Sequence, residues 1–80
     1  MNTNRQRFID AYSNELAKAI QANPGKYMNT VDEAELLATK MTDGLIAGRA
    51  NLSDVARKAC RKLGISPTYK GVEAFLKPSD

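Results

Sequence analysis

Four apolar stripes of helical period, each closed by a chain breaker, constrain this sequence more than any other feature. Phe8, Ile9, Tyr12, Leu16, Ala19 and Ile20 recur at three- and four-residue steps and so share one face of a helix. Asn23-Pro24-Gly25 ends that run, because proline cannot continue the ladder and glycine accepts left-handed dihedrals. With Thr3 or Asn4 as the cap, the spacing predicts a helix over 3–22.

The second stripe has the clearest start. Thr30-Val31-Asp32-Glu33 reads as a capping box, and Asp32, Glu33 and Glu35 place negative charge at the positive end of the helix dipole. Val31, Ala34, Leu37, Ala38, Met41 and Leu45 follow at helical spacing, and Gly48 closes a helix predicted over 30–48. A third helix, 53–64, begins at Asn51 or Ser53 and buries Val55, Ala56, Ala59, Cys60 and Leu63. It stops at Gly64, with Ile65 folding back over the last turn. Ser66-Pro67 then serves as cap and first residue of a fourth helix, 67–77, with Tyr69, Val72, Phe75 and Leu76 on one side.

No stretch alternates with period two for long enough to make a strand. The expected fold is therefore all-α. It is a single domain, 1–80, a compact bundle of four short helices with irregular or orthogonal packing and a helix-turn-helix-like C-terminal pair. The predicted core is Phe8, Tyr12, Leu16, Ile20, Leu37, Met41, Leu45, Val55, Ala59, Leu63, Val72 and Phe75.

Composition narrows function. The 80 residues include no histidine and one cysteine, so the commonest general base, the commonest transition-metal ligand and any internal disulfide are missing. No catalytic residue, metal or cofactor is expected, and the chain reads as non-enzymatic. No apolar run approaches the roughly 18 residues of a membrane span, and the N-terminal MNTNRQRF lacks the apolar core of a signal peptide. The expectation is a cytoplasmic protein with no membrane partner.

Charge is uneven. Residues 1–48 hold five basic and six acidic residues, whereas residues 49–80 hold seven basic and three acidic ones. The third helix concentrates the excess. Arg57/Arg61 and Lys58/Lys62 are two i,i+4 pairs standing opposite the Val55–Leu63 apolar side. Four like charges within two turns repel one another, and a polyanion relieves that repulsion. Nucleic-acid phosphate is the obvious polyanion, with Arg57, Lys58, Arg61, Lys62 and Lys70 as its contacts. The plainer alternative is a solvated face that keeps a small protein soluble.

Leu52 through Leu76 reads helix, glycine-containing turn, helix. Asp54-Val55-Ala56, then Cys60, then Gly64 resembles the first helix and turn of helix-turn-helix DNA-binding proteins, and Ile65-Ser66 resembles the pair that opens a recognition helix. The resemblance implies that Thr68, Lys70, Gly71 and Glu73 face a groove. The chain departs from that pattern where Lys70 stands in place of the usual apolar residue. Gly48-Arg49-Ala50-Asn51, Ala59 to Ile65, Thr68-Tyr69-Lys70 and Phe75-Leu76 resemble a class of small uncharacterised phage- and prophage-encoded proteins. That resemblance implies a phage accessory setting and assigns no site.

Other candidates have simpler readings. Cys60 lies on the apolar side of its helix and reads as a small buried hydrophobe. Asp43 is expected to cover Lys40 or Arg49. Tyr12 and Tyr69 lie on apolar stripes and read as core, whereas Tyr27 beside Lys26 is the better contact residue. A second functional class stays open: a protein-protein module, or a self-associating phage factor that docks on a host protein. It predicts an exposed apolar patch involving Tyr27, Met28 and Ile46.

Overall fold

The structure, a computed structural model, describes residues 3–26, 30–48 and 51–77. Among them there are four α-helices and no strand: α1 (Thr3–Ala22), α2 (Ala34–Ile46), α3 (Asp54–Leu63) and α4 (Tyr69–Leu76). A 3-10 turn, Val31–Glu33, leads into α2. No helix of the described residues is long and apolar enough to cross a membrane.

The long helix α1 is the hub. It packs against α2 and α3 extensively and against α4 less, while α3 and α4 make little direct contact with each other. Phe8, Ile9, Ala11, Tyr12, Leu16 and Ile20 of α1 are buried. Ala34, Ala38 and Leu45 come from α2, Ala56, Ala59 and Cys60 from α3, and Val72 and Leu76 from α4. Alanine at the seams lets helix backbones approach closely, which suits a core with few large side chains. Phe8 and Tyr12 meet edge to face at 5.7 Å. Leu37, Met41, Val55, Leu63 and Phe75, expected in the core, are half-buried and pack against its edge. A chain this small has too little interior to enclose every apolar stripe. Val31, expected on the inner stripe of α2, is exposed because the chain there is still in the 3-10 turn.

The helix ends show which local rules won. At Thr30 the Glu33 carboxylate accepts both the Thr30 N–H (3.0 Å) and the Thr30 hydroxyl (3.1 Å), so the capping box forms. Ser53 caps α3, its hydroxyl accepting the Ala56 N–H at 3.2 Å. The same hydroxyl meets the Tyr12 hydroxyl at 3.1 Å, tying the start of α3 to the middle of α1. Gly64 sits at φ +71°, and the Ile65 N–H reaches back to the Cys60 carbonyl at 3.0 Å, the foreseen Schellman ending.

The fourth helix differs from its expected form. It begins at Tyr69, with Thr68 and not Ser66 as the cap. The Thr68 hydroxyl accepts the Gly71 N–H at 3.1 Å, and the Thr68 N–H closes a tight turn onto the Ser66 carbonyl at 2.8 Å. Pro67 therefore lies inside that turn and not in the helix. Asn4 does not cap α1 either. Its side-chain amide donates to the Phe75 carbonyl at 3.1 Å, satisfying a carbonyl in the last turn of α4. The Arg7 guanidinium stands 5.5 Å from the centre of the Phe75 ring.

Candidate nucleic-acid interface

Successive helical residues turn by 100°, so the placement of the α3 side chains follows from their numbers. Ala56, Ala59 and Cys60 fall on one arc, and all three are fully buried against the rest of the molecule. Arg57, Lys58, Arg61 and Lys62 fall on the opposite arc, and all four are exposed. The structure thus gathers the four α3 cations on one water-facing surface. Arg61 and Lys62 also lie in the last turn, where positive charge complements the helix dipole.

The four are not equally available. Arg57 pairs with Asp54 at 3.0 Å, one turn earlier, and the Asp54 side chain is 91% exposed. Such a surface pair contributes little and is readily exchanged. Lys62 reaches across to α1, where its ammonium lies 3.4 Å from the Glu15 carboxylate. Lys18 approaches the same carboxylate oxygen at 3.3 Å. Partial burial pushes the Glu15 carboxyl up, but donation and charge from Lys18, then from Lys62, outweigh it and hold the group below its ordinary value. Asp54 and Glu15 therefore relieve part of the repulsion expected within the quartet. Lys58 and Arg61, at the centre of the arc, make no ion pair among the described residues. Lys18 extends the cationic surface onto α1, a contribution that linear spacing from α3 did not signal.

Lys70 stands apart. It is exposed on α4, an element that packs on α1 and hardly on α3. Two of the residues implied by the helix-turn-helix resemblance are used inside the fold. Thr68 spends its hydroxyl on the α4 cap. Gly71 presses on the connector, where a Cβ would come within 2.8 Å of Ser66 Cβ and closer still to the Ser66 carbonyl oxygen. Glu73 pairs with Lys77 at 3.9 Å.

Asp43, expected to cover Lys40 or Arg49, instead binds Arg5 of α1 at 2.7 Å. Arg49 lies outside the described residues. Cys60 is buried, and that burial pushes its thiol up against the smaller lowering influences of its own backbone and Arg61. Thr42, which no apolar pattern flags, is fully buried, and its hydroxyl has no hydrogen-bond partner among the described residues.

A second surface lies between α2 and α4. Leu45, Ile46, Tyr69, Val72, Leu76 and the Glu73–Lys77 edge line an open apolar groove of about 250 Å³. Ile46 is 53% exposed, as expected of a residue off the main stripe. Tyr69, expected in the core, is 40% exposed at the rim of this groove, because α4 starts two residues later than its sequence suggests. Tyr27 and Met28, the other expected patch residues, lie outside the described residues.

No family model, curated protein or solved structure matches the chain.

Proposed function

We propose that this chain is a non-enzymatic accessory protein of phage type. It binds nucleic acid mainly through phosphate contacts from the outward face of α3. Lys58 and Arg61 supply the central contacts, Arg57 and Lys62 the flanking ones, and Lys70 a peripheral one. The observation that carries this reading is the exposed four-cation arc of α3, centred on two residues with no acidic partner among the described residues. Asp54 yields Arg57 to phosphate at little cost, since their exposed ion pair is worth at most about 1 kcal/mol, whereas Glu15, with its side chain only 11% exposed, keeps a firmer hold on Lys62. The phage setting rests on the sequence resemblance alone. The reading assigns no catalytic group: the chain has no histidine, and its one thiol is buried.

The test is fluorescence anisotropy of a labelled duplex at low salt. Lys58→Ala/Arg61→Ala is expected to weaken binding by about tenfold or more, and Lys70→Ala by about twofold. Wild-type protein that fails to retain duplex or single strand at low salt overturns the proposal. So does a double variant that binds as wild type does.

The α2–α4 groove favours a second reading, the protein-protein module, because it is an apolar surface left open on the molecule.

A further inference from the structure

We infer that the α2–α4 groove is a self-association surface, taking a second copy of this chain with the two α4 helices antiparallel across a two-fold axis. This does not rest on the phosphate reading. Two features point to a second copy as the occupant, and a third sets the strength of association.

The first is self-complementary shape. An isologous interface needs both a projection and a recess on the same patch. The groove has room for one large side chain. Ile46 and Tyr69, two of the four exposed large apolar side chains among the described residues, stand at its own rim. A two-fold operation carries the rim of each copy over the recess of the other.

The second is charge. Glu73 and Lys77 stand one turn apart along one edge of the groove. With the axis passing between them, Glu73 of each copy faces Lys77 of the other, so one ion pair becomes two across the interface. The groove lining is charge-balanced, whereas the cationic excess sits on α3. No α3 cation lines the groove, and nothing at this surface selects a strongly acidic or basic partner.

The third is size. Only an eight-residue helix and the end of α2 form the surface. A surface of that extent matches a weak, reversible dimer and not a standard-size stable one.

Sedimentation velocity over a concentration series reaching about 1 mM, the scale of weak association, tests the inference. Wild type is expected to shift reversibly from monomer to dimer. Ile46→Glu should weaken association at least about tenfold. Glu73→Lys and Lys77→Glu should each weaken it about tenfold by facing like charges, and the double variant Glu73→Lys/Lys77→Glu should recover association. Thermal unfolding should change little in the charge variants, since the intrachain pair is exposed. Wild type that stays monomeric across the series overturns the inference and leaves the groove to a different partner. A double variant as weak as the singles overturns the antiparallel pairing. Neither result bears on duplex binding through α3.

Discussion

Helices α3 and α4 follow each other along the chain and both pack on α1, yet they meet water in opposite ways. The outward face of α3 is cationic, and its inward face is a seam of Ala56, Ala59 and Cys60. It is fixed at both ends, by Ser53 bonded to Tyr12 and by the Gly64 turn. Helix α4 is shorter, held by Thr68, the Gly71–Ser66 contact, Asn4 and Arg7, and leaves apolar surface open beside Ile46. On α3, which packs almost entirely on α1, a single stripe describes the buried face. On α4, which meets the Ser66 connector, packs on α1 and borders an open groove, a single stripe describes the surroundings poorly.

The largest effect should come from the α4 side. Gly71→Ala drives a Cβ into Ser66, and overpacking of that kind costs about 2 kcal/mol. Hydrogen exchange should localise the loss to α4 and leave the α3 amides protected. Uniform loss across both helices would break the distinction between them.

Ser53→Ala acts on the other side. It removes the α3 cap and the Tyr12 contact, and denaturant unfolding should register a loss of about 1 kcal/mol. Amides in the first turn of α3 should exchange faster, with α4 unaffected. Thr42→Val changes a residue of α2. It replaces a buried hydroxyl that has no hydrogen-bond partner among the described residues with a methyl of the same shape, and should raise stability by up to about 1 kcal/mol. A destabilised Thr42→Val protein would mean that the hydroxyl has a partner after all.

Glu15→Gln should have the smallest effect and sharpen the comparison most finely. It removes the anion shared by Lys18 and Lys62, so duplex affinity should rise about twofold while self-association stays unchanged. The stabilising contribution of Glu15 has a defined pH sense. Its carboxyl is held below its ordinary value in the fold, so that contribution is complete above the ordinary carboxylate range. It is lost as pH falls through the lowered folded-state value. Glu15→Gln should flatten this part of the acid-unfolding profile.

Much of this was legible from residue spacing. The extent of α1, the capping box at Thr30, the Gly64 ending and the cationic arc of α3 all depend on neighbours within a turn or two, and local spacing determines those. The features that spacing missed join distant parts of the chain. Asn4 reaches Phe75, Arg5 takes Asp43, and Glu15 sits between Lys18 and Lys62. Each requires knowing which helices lie side by side. The displaced start of α4 has a local cause of another kind. Ser66 and Thr68 are both competent caps, and the tight turn through Pro67 together with the Gly71 contact decided between them. Thr42 escaped because an apolar pattern excludes a hydroxyl that tertiary packing nevertheless buried.

The cationic arc of α3 as a phosphate-binding surface is tested most directly by how wild-type duplex affinity varies with salt. Four engaged phosphates predict a log–log slope of about −3 to −4, so affinity should drop steeply between low and physiological salt. A slope near zero would contradict a phosphate-binding role for Arg57, Lys58, Arg61 and Lys62.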